Sequence, residues 1–336
     1  MTINSFKNVC IYGAGAIGGW LGAGLAGVGC HVSVVARGAT LAALQASGLQ
    51  LNKAGTVNAY PETHKVRASA KPADLGVQDL VIVAVKAPSL LEVAQHIAPL
   101  IGPHTIVLTA MNGVPWWFFQ GFGGAFENTA LKAVDATGAI AQAIPAAQVI
   151  GCVVHASCSV DAPGLIHHHF GNGLIIGEPS GQQSERVLAL ASLLTQAGFG
   201  ATVSPQIQKD TWYKLWGNMT VNPVSAMTGA TTDLILGDEL VRNFISSVML
   251  EAKEIGTRIG IPIDQQPSDR HAVTLKLGAF KTSMLQDVEA GRAVELDALV
   301  TVVKELGSLT GVATPFTDAL LGLSRLHARV HGLYPK

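Results

Sequence analysis

The stretch NVCIYGAGAIG (residues 8–18) decides the architecture of the first part of the chain. It begins with an apolar run typical of a buried strand and continues into the pattern G-x-G-x-x-G. A helix-like apolar stretch follows as far as Gly29, and then a second strand candidate, CHVSVVA (30–36). Strand, glycine turn, helix and strand in this order predict a βαβ unit with parallel strands.

The same alternation continues along the first two thirds of the chain. Further strand candidates lie at 79–85, 105–111, 149–157, 165–170 and 174–179, and a helix candidate at 185–197. After about residue 205 only helices are predicted, one of them capped by Asp238 and others at 268–290, 294–310 and 315–330. We therefore predict an α/β domain (1–204) with a doubly wound parallel sheet, followed by an all-helical domain (205–336).

Composition and charge exclude several classes of protein. The chain has 336 residues, 49% of them hydrophobic and 13% charged, which is typical of a globular protein with a large core. A net charge of −1 offers no basic field for nucleic acid. The four cysteines form no C-x-x-C pair, which favours a reducing cytoplasm.

Two alternative interpretations of short segments are weaker. Residues 8–36 carry no charge and include G-x-x-x-G at Gly18 and Gly22, but their eight glycines argue against a membrane span. The triplet His167, His168 and His169 resembles a metal site, but consecutive strand residues face opposite sides of a sheet. We therefore expect no membrane association and no metal.

The glycine pattern at residues 13–18 predicts a dinucleotide site, because it follows a strand and opens a helix. Gly13 would permit the tight turn, Gly15 the approach of a pyrophosphate, and Gly18 the packing of helix on strand. The helix N-terminus would supply free N–H groups to the phosphates. The cofactor-binding prediction covers the whole loop: Gly13, Ala14, Gly15, Ala16, Ile17 and Gly18. The alternative is a glycine-rich turn that binds nothing.

Polar residues just past three apolar runs indicate which dinucleotide binds. Arg37 follows the second strand, where an NAD site usually has Asp or Glu, and a guanidinium suits a 2′-phosphate. We therefore predict NADP(H), the alternative being a solvated surface arginine. Lys86 and Asn112 also follow strands, at the edge where open α/β sheets bind ligands. Each of these two residues would equally suit an ordinary loop.

A mostly apolar helix candidate, WYKLWGNMTVNP (212–223), carries Lys214, Asn218 and Asn222 at steps of four. Such positions fall within about 80° of arc, on one face of a helix. One interpretation is that these three polar side chains bind a ligand together on that face. The alternative is a lysine that extends to solvent and asparagines that bond to neighbouring helices.

These motifs together resemble the ketopantoate reductase (2-dehydropantoate 2-reductase) family over nearly the whole chain. The resemblance rests on GAGAIG (13–18), VVAR (34–37), VKA (85–87), MNG (111–113), WYKLWGNMTVNPVSA (212–226) and TSMLQDVEAGRAVELD (282–297). It implies an N-terminal Rossmann-type domain and a C-terminal helical domain with the site between them. It also implies NADPH-dependent reduction of ketopantoate to pantoate, a step of pantothenate and coenzyme A synthesis.

The resemblance assigns a role to each matched position. Lys214 would be the general acid, and Glu295 would lie near the nicotinamide ribose and the substrate. Asn218, Asn222 and Ser283 would bind the substrate's carboxylate and hydroxyl. Cofactor contacts would come from Arg37, Lys86, Asn112 and Glu295, and Asn112 would also lie near the substrate.

One segment departs from the family pattern and leaves the substrate open. Trp116, Trp117, Phe118 and Phe119 follow the Asn-Gly pair, where a polar helix start is more usual. They would form a wall of the site, pack against the helical domain, or lie exposed as a contact patch. A related 2- or 3-oxo acid is therefore an alternative substrate, and a non-catalytic NADPH sensor is an alternative of another class. The sequence leaves a monomer or a homodimer open.

Overall fold

The computed structural model describes residues 6–53 and 60–335. It divides into two compact units. The first comprises Met1–Met111, Phe119–Gly123 and Gly138–Ile207, and the second comprises Asn112–Phe118, Gly124–Thr137 and Gln208–Lys336. Two segments that precede residue 204, 112–118 and 124–137, therefore cluster with the helical unit, although the sequence-based division counted them in the first domain.

The described residues of the first unit hold ten strands and five helices. The strands are β1 (Asn8–Tyr12), β2 (His31–Val35), β3 (Leu49–Asn52), β4 (Glu62–His64), β5 (Arg67–Ser69), β6 (Leu80–Val83), β7 (Ile106–Thr109), β8 (Val149–Ala162), β9 (Leu165–Gly177) and β10 (Gly200–Val203). The helices are α1 (Ala16–Gly27), α2 (Gly38–Ser47), α3 (Leu90–His96), α4 (Ala139–Ala143) and α5 (Glu185–Gln196).

These strands form one sheet in the order β4-β3-β9-β8-β7-β6-β1-β2-β5, with β10 beside β9. The pairs from β5 to β8 are all parallel, as predicted. Two pairs, β8 with β9 and β3 with β4, are antiparallel, so the sheet is mixed rather than fully parallel. The sequence analysis did not identify the short strands β3, β4, β5 and β10.

The hairpin formed by β8 and β9 corrects one strand prediction. The runs 165–170 and 174–179 were expected to be separate strands, but they form the continuous strand β9. The glycine-rich break between them is an irregularity of the ladder, where the register shifts opposite His155 and Ser157. Gly171 has a φ of +74°, which lets the strand bulge without ending.

Helix α1 lies directly against the sheet because its glycines remove side chains from the contact. A Cβ at Gly19 would lie 2.5 Å from Ile166 Cγ1, and one at Gly24 would lie 2.4 Å from the Phe199 ring. The sequence pattern that resembled a membrane motif therefore serves packing inside a globular unit. Among the described residues no helix has both the length and the apolarity that a membrane crossing requires.

The described part of the second unit is built from helices. These are α6 (Ile207–Thr228, whose first residue belongs to the first unit), α7 (Thr232–Gly237), α8 (Glu239–Arg258), α9 (Pro267–Leu275), α10 (Ser283–Glu289), α11 (Val302–Thr310) and α12 (Pro315–Val330). The Val241 N–H donates to Asp238 Oδ1 over 3.0 Å, which confirms the predicted cap of α8. Pro315 begins α12, as predicted.

Two predicted helices of this unit are interrupted. The single helix expected at 268–290 is two helices, because Gly278 adopts a φ of +64° and Thr282 caps a new start. The helix expected at 294–310 begins with a π-helical turn, Asp297–Thr301, before α11. Wider turns of this kind often mark functional sites.

Candidate active site

The glycine loop between β1 and α1 has the geometry that a dinucleotide site needs. Gly13 has a φ of +100°, and a Cβ there would lie 2.7 Å from Val85 Cγ1. A Cβ at Gly18 would lie 2.0 Å from the Gly13 carbonyl oxygen. The turn and packing roles predicted for these two glycines are therefore confirmed, because neither position accommodates a side chain.

Gly15 differs from its two neighbours in the motif. It is the N-cap of α1, and a Cβ built on it meets nothing within 4 Å. No contact within the protein explains a glycine here, whereas a bound group lying against the backbone would. The residues present therefore fit a pyrophosphate at the N-terminus of α1, where the backbone N–H groups of the first turn lack helical partners.

Arg37 lies at the end of β2, as predicted, and is the N-cap of α2. Its guanidinium pairs with the carboxylate of Glu92, in the first turn of α3, and both side chains are exposed. Tyr12, the last residue of β1, lies close enough for both charges to affect the pKa of its hydroxyl. Burial raises the pKa of its hydroxyl, the Glu92 carboxylate adds to that rise, and Arg37 opposes it. An acidic and a basic group thus lie together beside the glycine loop.

Lys86 and Asn112 both follow strands of the sheet, as predicted. Lys86 is half-buried and precedes the turn Ala87–Ser89 after β6. Asn112 follows β7 and is the first residue of the segment 112–118 of the second unit. The cofactor contact of each residue stays a prediction.

The second unit brings two predicted residues into direct contact. Lys214 Nζ donates a hydrogen bond to Asn112 Oδ1 over 2.8 Å, although 102 positions separate them in the chain. Both side chains are half-buried. A neutral amide oxygen accepts this hydrogen bond without adding a charge beside the lysine. The hydrogen bond thus holds the Lys214 head group in a defined position, and its role as a proton donor stays a prediction.

The backbone around Asn112 is held by the π-helical turn. Val114 N–H donates to the Ala298 carbonyl oxygen over 2.9 Å. Gly113 has a φ of +85°, and a Cβ there would lie 2.4 Å from that same oxygen. The sequence analysis named Gly113 only within the MNG motif, and its close contact with Ala298 had no sequence signal. This contact fixes the backbone position from which the neighbouring Asn112 side chain extends.

The other predicted site residues lie on three elements of the same unit. Asn218 and Asn222 follow Lys214 by one and two turns of α6, and Asn222 is buried directly before Pro223. Glu295 is only 4% exposed and lies two residues before the π-helical turn. Ser283 is the half-buried first residue of α10. The structure places these residues without assigning them roles, so their roles stay predictions.

The four aromatic residues after the Asn-Gly pair are all buried. Phe118 packs against Trp212 of α6, with ring centroids 6.3 Å apart. The alternative of an exposed contact patch is therefore wrong, and packing within the helical unit is confirmed for Phe118. This packing also ties the segment that carries Asn112 to the helix that carries Lys214.

The three consecutive histidines point to opposite sides of β9, as the strand geometry predicts. His167 and His169 stack on each other with centroids 4.5 Å apart, while His168 stacks on Trp20. His169 Nε2 is 2.9 Å from Ser159 Oγ. In the described part of the chain no three His, Cys, Asp or Glu residues are grouped so that they would hold a metal ion.

Known proteins resemble both units. The family model for "Ketopantoate reductase PanE/ApbA" matches residues 9–181, and that for "Ketopantoate reductase PanE/ApbA C terminal" matches residues 206–328. A 2-dehydropantoate 2-reductase from Mesorhizobium japonicum is 49% identical, over 97% of this chain and 99% of its own length.

Solved structures show the same likeness. A protein from Ralstonia solanacearum MolK2, described as a ketopantoate reductase, is 55% identical with a TM-score of 0.94, over 98% of this chain and all of its own. The dimeric ketopantoate reductase of Staphylococcus aureus shares the fold at 18% identity, with a TM-score of 0.73 over 96% of this chain and 99% of its own.

Proposed function

The chain belongs to the ketopantoate reductase family and is an oxidoreductase, and we propose that it reduces ketopantoate to pantoate with NADPH. One observation carries the proposal beyond family membership. Lys214 Nζ donates to Asn112 Oδ1 over 2.8 Å, which holds a half-buried lysine head group in one position, and we propose this group as the proton donor. Because the matched family is catalytic, we do not retain the alternative of a non-catalytic sensor.

The proposed reaction needs one proton at the ketone oxygen. NADPH supplies the hydride that the carbonyl carbon accepts. Negative charge then develops on the carbonyl oxygen, and Lys214 stabilises it and donates the proton that completes the hydroxyl. Asn112 keeps Nζ in place, which removes much of the entropy cost of orienting a flexible lysine.

The neighbouring polar residues suit the substrate's other groups. Asn218, Asn222 and Ser283 offer neutral donors and acceptors, which we propose bind the carboxylate and the hydroxyl of ketopantoate. Glu295 is buried and near the π-helical turn, and we propose that it contacts the nicotinamide ribose and the substrate.

We propose NADPH rather than NADH because of the residue at the end of β2. Arg37 is exposed beside the glycine loop and offers a permanent charge and a planar fork to a 2′-phosphate. Lys86 would add a second positive charge. We place the reaction in the cytoplasm, where NADPH is available and where Cys10, Cys30, Cys152 and Cys158, which form no disulfide in the structure, would stay reduced. Because the S. aureus relative is dimeric, we propose a homodimer here as well.

The direct test is oxidation of NADPH by the purified protein with ketopantoate, followed by absorbance, with NADH in parallel. Fast turnover with a strong preference for NADPH supports substrate, reaction and the role of Arg37 together. Tight binding of NADPH without turnover would keep the cofactor and reject the substrate. Equal rates with NADH would reject the role of Arg37 alone.

A second substrate is favoured by one feature of the segment that carries Asn112. The buried aromatic residues 116–119 begin four positions after it and depart from the expected family pattern. A related 2- or 3-oxo acid is therefore the alternative. A panel of such acids, compared with ketopantoate by kcat/KM, distinguishes the two alternatives. The compound whose kcat/KM is higher by tenfold or more identifies the class of the physiological substrate.

A further inference from the structure

Arg270, a half-buried residue of α9, pairs with no carboxylate in the described part of the chain. Its Nε is enclosed by the protein, and no described residue accepts a hydrogen bond from it. By contrast, Arg292 of the same unit pairs with the buried Asp287. A guanidinium is always charged, and taking part of it out of water costs free energy unless an anion lies beside it. A bound anion would offset that cost.

An aromatic ring holds the guanidinium of Arg270 in place. The Arg270 Cζ lies 5.2 Å from the centroid of the Tyr213 ring, in a cation–π contact. The Tyr213 hydroxyl in turn donates to Gln265 Oε1 over 2.6 Å, which fixes the ring. Contact with a ring uses the flat face of a guanidinium, while its N–H groups lie along the edge. The Arg270 head group is therefore oriented by the protein before any ligand binds.

Gly217, in the interior of α6, makes the space that the guanidinium occupies. A Cβ built on Gly217 would lie 2.7 Å from Arg270 Nε and 3.2 Å from Arg270 Cζ. Glycine is unfavourable inside a helix, so a requirement of packing has to explain it here. The sequence analysis gave Gly217 no role, because its partner is distant in the chain. The close approach of Arg270 to the α6 backbone supplies that role.

The same approach places the guanidinium beside the polar face of α6. Gly217 comes three positions after Lys214 and one before Asn218. On a helix, Cβ atoms three positions apart are neighbours at about 5–6 Å. Because Arg270 Cζ lies 3.2 Å from the Cβ position of Gly217, it lies within roughly 9 Å of the Lys214 Cβ. An amine and a guanidinium thus border one narrow strip of the helix surface.

We infer that Arg270 binds the carboxylate of the oxo-acid substrate and so selects acids over their neutral analogues. The inference rests on the proposed function, in which Lys214 serves the ketone oxygen. The other proposed substrate contacts, Asn218, Asn222 and Ser283, offer only neutral groups. A carboxylate has about four acceptor sites, so it can bind neutral donors and a guanidinium together. A guanidinium adds the charge and the paired N–H donors that neutral groups lack.

Arg270→Met tests the inference, because it keeps an unbranched apolar stem and removes the charge. The KM for ketopantoate should rise about 10–100-fold, with little change in kcat. The KM for the corresponding neutral 2-oxo amide and the dissociation constant for NADPH should stay within about threefold of wild type. Arg325→Met, at an exposed arginine of α12, is the matched control. Equal losses for acid and amide in Arg270→Met would show a structural role and overturn the inference.

Gly217→Ala tests the same contact without removing a charge. The added methyl would displace the flexible Arg270 side chain, while alanine suits the helix better than glycine. The KM for ketopantoate should rise at least about fivefold, and the KM for the amide should change little. Thermal unfolding checks that both variants are folded. A Gly217→Ala variant with a wild-type KM for the acid would contradict the position assigned to the guanidinium.

Binding measurements distinguish failure of this inference from failure of the proposed reaction. Ketopantoate is titrated calorimetrically into wild type and Arg270→Met, each saturated with NADP⁺. If wild type binds the acid but never reduces it with NADPH, the reaction is rejected, and weaker binding by Arg270→Met still supports the inference. Equal affinities overturn the inference whatever the turnover. A wild type that binds no ketopantoate overturns both.

Discussion

The glycine loop between β1 and α1 and the Asn112–Lys214 pair are built in opposite ways. The loop is six consecutive residues, and its steric requirements come from β1, from the turn itself and from residues 84–85. The pair joins residues 102 positions apart, and the turn beside Asn112 is held by a third segment near Ala298. The proposed binding loop is thus local, whereas the proposed proton donor is positioned by distant parts of the chain.

The two regions also differ in what a substitution would disturb. Gly13 and Gly18 are required by atoms of the protein, while Gly15 has open space around its Cβ position. Around Lys214 the protein itself provides both the charged group and its partner. Substitutions at Gly13 or Gly18 should therefore lower the stability of the protein, whereas a substitution at Gly15 should weaken only cofactor binding. A substitution at Lys214 should slow the reaction without weakening cofactor binding.

The largest effect is expected for Lys214→Ala. Loss of the general acid should lower kcat by about 10²–10⁴-fold, while NADPH affinity stays within a few-fold of wild type. Steady-state kinetics and a binding titration measure the two quantities. Lys209→Ala, an exposed lysine on the same helix, is the control. Near-normal turnover of Lys214→Ala would remove the proposed mechanism.

Gly113→Ala tests whether the contact with Ala298 positions Asn112. The added methyl would meet the Ala298 oxygen, so the turn has to shift, and kcat should fall by roughly 10–100-fold. The control is Gly123→Ala, because Gly123 has a similar φ of +79° but a Cβ there would meet nothing within 4 Å. This variant therefore carries only the cost of an alanine at positive φ. If both variants lose the same activity, strain rather than the position of Asn112 explains the loss.

Two substitutions in the same loop should affect different properties: Gly18→Ala should lower stability, and Gly15→Ala should weaken cofactor binding. Gly18→Ala should lower the free energy of unfolding by about 1–3 kcal/mol or more, because its methyl collides with the Gly13 carbonyl. Gly15→Ala should unfold like wild type but bind NADPH more weakly. Thermal unfolding without cofactor and a fluorescence titration distinguish them. Unchanged NADPH affinity in Gly15→Ala would contradict the assigned pyrophosphate position.

The smallest effect is expected at the ion pair beside the loop. Glu92→Gln removes a carboxylate that shares Arg37 with the proposed 2′-phosphate, so the dissociation constant for NADPH should fall about two- to fivefold. The constant for NADH should not change, because NADH has no phosphate there. Glu62→Gln, which breaks another exposed pair with Lys53, controls for the loss of one negative charge. An equal gain for both cofactors would argue against a specific role of Arg37.

Local patterns were enough to predict much of this protein. The G-x-G-x-x-G turn, the apolar runs of the parallel strands and the cap at Asp238 are short-range features, because backbone sterics and capping act over a few residues. The face shared by Lys214, Asn218 and Asn222 follows from the helical repeat alone. The family resemblance extended this to Ser283 and Glu295, whose roles the fold does not itself decide.

Long-range packing decided the rest. Only the tertiary structure joins β3 to β9, makes one bulged strand of 165–177, divides the helix expected at 268–290, and assigns the segment with Asn112 to the helical unit. It also places Ala298 against Gly113, buries the aromatic residues 116–119 and leaves Leu323, Leu326 and Val330 of α12 exposed. The sequence by itself determined which residues could form each element and the nucleotide loop. Which of these elements pack together depends on the apolar surface that they bury between segments distant in sequence. No local sequence pattern contains the free energy of that burial.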